Sequence, residues 1–187
     1  MSEIKSLAAP KASFDRRAVV KGAAWSVPVI AAAIAAPAAA ASVATATMAF
    51  ATVGSVNFSG TPSRPGTAPT GIIIHNTPGA AIAAGTVVAI TITPTAGYPA
   101  IGVESMTGGT VSVQPKYTGN VFTVSFTYPA AIPGGTNGSN QLLTFAYSHK
   151  AGNDKVTYSN YKVDVSVTLP TRTPALQATA YATLLPK

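Results

Sequence analysis

The amino-acid sequence predicts an all-β domain: a single antiparallel β-sandwich of about eight strands over residues 42–187, preceded by a helical leader over residues 1–41. Three observations predict it. Apolar residues recur with period two along several short segments, the mark of strands with one buried and one wet face. Segments rich in Gly, Pro, Asn and Ser interrupt those runs at short intervals, as in sandwiches and barrels. Cysteine is absent, so the domain must be held by its hydrophobic core, which a chain of about 150 residues can supply by burying roughly 70% of its unfolded surface.

The first strand candidates, 43–57 and 71–75, are short or weakly patterned. Between them, residues 62–69 form a Pro/Gly/Ser/Thr stretch that reads as a loop. Val88, Ile90 and Ile92 then alternate with Ala89, Thr91 and Thr93, and Thr95-Ala96-Gly97 closes that segment. After the weak candidate 110–117, the clearest alternation of the chain follows. Phe122, Val124, Phe126 and Tyr128 fall on one face, and Thr123, Ser125 and Thr127 on the other. Leu143, Phe145 and Tyr147 form the next core face. Ala151-Gly152-Asn153-Asp154 reads as a hairpin tip, because Gly, Asn and Asp tolerate the positive φ of tight turns. Tyr161, Val163, Val165 and Val167 oppose Lys162, Asp164 and Ser166, and 176–184 is the last candidate. Ala/Thr alternation near both ends, in 44–52 and 178–183, is the product of composition or marks two strands of one sheet.

Two phrases, Gly85-Thr-Val-Val-Ala-Ile-Thr-Ile-Thr-Pro94 and Asn120-Val-Phe-Thr-Val-Ser-Phe-Thr-Tyr128, resemble the immunoglobulin-like modules of bacterial surface proteins. The resemblance implies an immunoglobulin-like sandwich. The Cys–Trp–Cys hallmark of that fold is missing, since the one Trp, Trp25, lies in the leader. A jelly roll or a small barrel accommodates the same pattern.

The leader has an ordered grammar. A basic stretch ends in Asp15-Arg16-Arg17-Ala18-Val19-Val20-Lys21, residues 22–41 carry no charge, and alanines precede Ser42. A positive region, an apolar region and an A-x-A site make a secretory signal peptide, with cleavage expected after Ala41 and a helix over 22–36. Arg16, Arg17 and Lys21 resemble the twin-arginine (Tat) consensus of two arginines, a spacer, two apolar residues and a lysine. The match departs at Asp15, where Ser or Thr is preferred, and at Val19, where Phe is common. The whole leader is similar to those of exported actinobacterial proteins. Two other readings stay open. One is an ordinary Sec signal. The other is an uncleaved anchor over 23–46, which is long enough for about 30 Å of hydrocarbon but Ala-rich and interrupted by Pro28 and Pro37.

Charge and chemistry exclude more than they assign. Residues 1–41 hold five basic and two acidic side chains, a net of +3; residues 42–187 hold seven and three, a net of +4, completing the +7 of the chain. The basic residues after Ser42 are scattered singly, with no stripe to neutralise successive phosphates, so nucleic acid is not an expected partner. Glu104, Asp154 and Asp164 are the only side-chain carboxylates of that region, and nothing pairs two of them as a glycosidase requires. His75 and His149 each end a strand segment and read as solvated, without the further ligands a metal site needs. Ser159-Asn160-Tyr161-Lys162 matches S-x-x-K, but in a strand positions i and i+3 point to opposite faces. Gly134-Gly135-Thr136-Asn137-Gly138 is followed by neither lysine nor helix, so it is not a phosphate loop.

Tyr98, Tyr117, Tyr158 and Tyr161 lie near loops and strand ends, where tyrosine suits contact with carbohydrate or protein or caps the core with its hydroxyl in water. The expectation is an extracellular or cell-envelope protein, not an enzyme, without a cofactor or metal, serving a binding or structural role. Its expected partners are the export machinery and envelope polysaccharide or protein, and it meets a membrane only through an uncleaved leader. A secreted hydrolase or carbohydrate-active protein, and a subunit of a surface assembly, are the alternatives. The final AYATLLPK carries no LPxTG-like signal, so sortase attachment is not expected.

Overall fold

In the computed structural model, residues 45–96, 100–150, 159–170 and 175–186 are described. The expected leader helix, Arg16, Arg17, Lys21, the cleavage position after Ala41, Tyr98, Asp154 and Tyr158 lie outside them. The regular elements among the described residues are all strands. In chain order these are β1 (Ala46–Phe50), β2 (Val53–Phe58), β3 (Arg64–Pro69), β4 (Gly71–Asn76), β5 (Thr86–Ala96), β6 (Ile101–Met106), β7 (Thr110–Thr118), β8 (Val121–Tyr128), β9 (Ser139–His149), β10 (Ser159–Thr168) and β11 (Leu176–Leu184).

The strands form two antiparallel sheets in a sandwich-like arrangement. One has the order β1-β4-β9-β6 and the other β2-β3-β11-β10-β5-β8-β7. Period-two patterning explains the centre of the larger sheet. Register sets Ile92 between Phe122 and Val163, Ile90 between Val124 and Val165, and Val88 between Phe126 and Val167. All nine side chains are buried. They meet Ile72, Ile74, Leu143 and Tyr147 of the smaller sheet in one hydrophobic core. Each such aliphatic or aromatic side chain contributes about 1.5–3 kcal/mol when fully buried.

Eleven strands replace the expected eight or so, for local reasons. The segment 43–57 is two strands, β1 and β2, which belong to different sheets. The chain changes sheets at Ala51 and Thr52, whose backbones bond Gly71 and Thr70. The stretch read as a loop contains β3. Its prolines alternate with Arg64, Gly66 and Ala68, which face inward, and it pairs fully with β2 but with β11 only at Thr67 and Gly66. Gly66 is required where β3 meets β11, because a Cβ there would lie 2.2 Å from the Thr183 carbonyl oxygen. β6 was not expected at all, because a bulge between Val103 and Ser105 breaks its alternation. The Ala/Thr segments near the two ends enter different sheets, as β1 and β11.

One expected surface residue, His149, is a core residue, and Tyr161, read both on the apolar face of its strand and as a loop-end aromatic, follows the alternation. Tyr161 is fully buried, on the same face of β10 as Val163. His149 is 7% exposed and not a solvated loop residue.

Tyr147 shows how a polar atom is accommodated in this core. Its ring packs 5.4 Å from that of Phe58, and its hydroxyl donates to the Pro69 carbonyl at 2.7 Å. Burial raises its pKa well above the ordinary tyrosine value. The folded state therefore holds the proton more tightly than the unfolded state. The resulting stabilisation is full below about pH 10 and is lost as pH rises through the folded value. Tyr147→Phe is expected to lower stability by about 1–2 kcal/mol through the lost hydrogen bond and the unpaired carbonyl. It is also expected to make the loss of stability above about pH 10 shallower. Urea denaturation at a series of pH values checks both.

Candidate functional site

The outer face of the larger sheet carries the side chains that period two turns away from the core. Their register makes a lattice. Thr123, Thr91, Asp164 and Thr179 lie in one row across β8, β5, β10 and β11, and Ser125, Ala89, Ser166 and Gln177 form the next. A third row joins Thr93, Lys162 and Tyr181. Rows in such a lattice are about 6.8 Å apart and neighbouring strands about 4.8 Å. A shallow depression of about 220 Å³ lies over β5, β10 and β11, lined by Ala89, Thr91, Asp164, Ser166, Gln177 and Thr179.

Asp164 organises this depression. Thr179 Oγ1 donates to its Oδ1 at 2.5 Å, and Lys162 Nζ lies 3.0 Å from its Oδ2. Partial burial pushes the carboxyl pKa up, but the hydrogen bonds from Thr179 and Lys162 and the lysine charge outweigh it, so the pKa is lowered. A depressed carboxyl stabilises the fold above its unfolded pKa of about 3.9 and loses that contribution as pH falls below it. Both side chains are more than a third exposed, so Asp164→Asn is expected to change stability by less than about 1 kcal/mol at neutral pH. Thermal melting checks this, and a small change makes the variant usable in binding assays.

Tyr181 lies one row from the Asp164–Thr179 pair, outside the lining of the depression, and is 64% exposed. It was not among the expected aromatic residues. The signal was present, because Gln177, Thr179, Tyr181 and Thr183 share one parity in 176–184. The small alanines between them hid which parity faced the core.

The expected chemical residues fall elsewhere and are not brought together. His75 sits on the outer face of the smaller sheet, its Nδ1 donating to Asn140 Oδ1 at 2.7 Å. His149 presents Nε2 to the Pro62 carbonyl at 2.6 Å, beneath Gly60, where a Cβ would lie 2.4 Å from the ring. Glu104, at the β6 bulge, accepts from Ser59 Oγ at 2.7 Å. Ser59 therefore bonds a carboxylate while the nearby His149 ring bonds a backbone carbonyl, and the two do not form a nucleophile–base pair. Ser59 instead ties the segment after β2 to β9 through backbone bonds with Tyr147 and His149. Tyr117 is half-buried, packing 5.0 Å from Phe122, with Lys150 Nζ 5.4 Å above its ring. Ser159 faces the core while Lys162 faces out, so the S-x-x-K pair is split as expected. Among the described residues no three His, Asp or Glu side chains gather as metal ligands would.

The fold is an antiparallel β-sandwich whose larger sheet carries the Lys162–Asp164 ion pair on its outer face. Comparison with protein-family models, curated proteins and solved structures found no match to the chain.

Proposed function

We propose that this is a bacterial protein exported to the cell envelope or the medium by the twin-arginine route, and that its sandwich has a non-enzymatic binding or structural role. The observation that carries the reading is the order of the leader: Arg16-Arg17 and Lys21, an uncharged stretch, then alanines before Ser42. The twin-arginine route transports chains that have already folded. A disulfide-free sandwich fits it, because its core needs no oxidising compartment to form.

The binding role is supported by the outer face of the larger sheet, where hydroxyl, amide, carboxylate, ammonium and phenol groups share one surface. Screening the purified protein against ester and peptide substrates tests the non-enzymatic part. The expected result is no turnover above the blank. Turnover that disappears in His75→Ala or His149→Ala contradicts the proposal and establishes a hydrolase.

A further inference from the structure

We infer that Asn137 is a self-modification site: the Gly138 backbone nitrogen attacks the Asn137 side-chain carbonyl, ammonia leaves, and water completes the conversion to an aspartyl or isoaspartyl residue. This goes beyond the export and binding readings and does not depend on them. Sequence sets the first condition. Asn137-Gly138 is the one place in the chain where Asn is followed directly by Gly. Glycine has no Cβ to shield its nitrogen from the preceding side chain. The other described asparagines, Asn57, Asn76, Asn120, Asn140 and Asn160, are each followed by a residue that has one.

Structure sets the second. Asn137 is exposed in the turn between the Gly79–Gly135 bridge and β9. Among the described residues its amide makes no hydrogen bond, and the Gly138 N–H, which lies outside the β9 ladder, donates to none of their carbonyls. Other asparagines are engaged. Asn76 Nδ2 donates to the Ala80 and Ile132 carbonyls at 3.0 and 3.2 Å. Asn140 Oδ1 accepts from His75 at 2.7 Å, and Asn160 Oδ1 from the Thr183 hydroxyl at 3.1 Å. Those amides must break a hydrogen bond before turning onto the next nitrogen, at a cost of about 0.5–1.5 kcal/mol for each bond. The Asn137 amide turns freely. The fold also keeps the glycine. Gly138 has φ +77°, and a Cβ there would lie 2.6 Å from the Asn76 carbonyl oxygen, so a larger residue meets both strain and collision. No such contact holds Asn137, which can be replaced without loss of a hydrogen bond.

The chemistry is intramolecular, so no second reactant has to be collected for the first step. A bond forms between the Gly138 nitrogen and Asn137 Cγ. The bond from Cγ to Nδ2 breaks, and ammonia leaves with the proton from the Gly138 N–H. Water then opens the succinimide ring at one of its carbonyls. Opening at the backbone carbonyl leaves an isoaspartyl residue, and opening at Cγ leaves an aspartyl residue. Either product carries a new carboxylate. Residues 42–187 hold seven basic and three acidic side chains, so a fourth carboxylate takes their net charge from +4 to +3.

The test incubates the folded full-length chain in heavy-oxygen water at mildly alkaline pH, beside a sample unfolded in guanidinium. Isoelectric focusing and peptide mass mapping follow both. The expected result is an acidic shift of one charge in the folded chain. It comes from a mixture of isoaspartyl and aspartyl products at position 137 that carry the heavy oxygen, ahead of conversion at any other described asparagine. Asn137→Gln is expected to lose the shift, because its longer side chain must close a larger ring. Asn137→Ser, which has no amide, should lose it as well. An unmodified Asn137 in the folded chain by the time the unfolded sample has converted overturns the inference. So does faster conversion at Asn57, Asn76, Asn120, Asn140 or Asn160, or an acidic shift that persists in Asn137→Gln. The chain is taken from the cytoplasm, so the outcome is separate from that of the export experiments.

Discussion

Replacing Arg16 and Arg17 together by lysine is expected to abolish export and leave the uncleaved chain in the cytoplasm. Both substitutions keep the positive charge of the leader. What they remove is the planar, five-donor guanidinium, which binds acceptors in a bidentate fork that an ammonium cannot reproduce. A general secretory signal requires a positive n-region and an apolar segment, and lysine satisfies the first as well as arginine does. The double substitution therefore separates the two routes. Immunoblotting of the medium and the cell contents reads the outcome. Secretion equal to wild type returns the leader to the ordinary Sec class.

Phe126→Ala is expected to destabilise the sandwich by about 3–5 kcal/mol. Phe126 is 1% exposed, in a central strand, beside Val88 on one side and Val111 on the other. Neighbouring strands are held by their own ladders, so the space left by the ring cannot close, and the lost contacts add to the lost transfer energy. Against a total stability of about 5–15 kcal/mol for a domain, this is a large fraction. Urea denaturation should show a lower midpoint with an unchanged slope, the sign of a stability change without altered compactness. Val113→Ala is the matched control. Val113 is 57% exposed on the edge strand β7, and its substitution should stay within about 0.5 kcal/mol. Equal effects at the two positions would place Phe126 outside the core.

These two expectations rest on parts of the chain that are legible to different degrees. β5, β8 and β10 are readable because each carries a run in which large apolar side chains alternate with small or polar ones, and the buried members Val88, Ile90, Ile92, Phe122, Val124, Phe126, Val163, Val165 and Val167 are those the alternation selects. The same rule placed Asp164 on the outer face. Other elements escaped for identifiable reasons. In β3 the prolines imitate a loop; Pro65 is exposed and Pro69 is buried at the end of the strand. In β6 an extra residue at Glu104 shifts the parity within a six-residue strand, leaving no run long enough to recognise. The division of β1 from β2 carries no turn residue, because the chain crosses between sheets through Ala51 and Thr52 instead of reversing.

The candidate site was half legible, and its tyrosines explain why. Tyr161 shares parity with Val163, Val165 and Val167, so its burial follows from the alternation of β10, whereas proximity to a loop pointed the wrong way. Tyr181 shares parity with Gln177 and Thr179 on a strand whose inward residues are mostly alanine. Ala is a weak indicator of which face is buried. Only pairing with β10 shows that Tyr181 joins Lys162 on the surface. The depression itself is a three-strand feature, built by β5, β10 and β11, and its residues are brought together by register across more than eighty positions of sequence.

The proposed export places this sandwich outside the cytoplasm. Fractionating expressing actinobacterial cells into medium, wall, membrane and cytoplasm, with the intact mass of the protein measured in each, tests it most directly. The predicted result is protein in the medium or wall fraction whose mass corresponds to a chain beginning at Ser42. Full-length protein confined to the cytoplasm would contradict it.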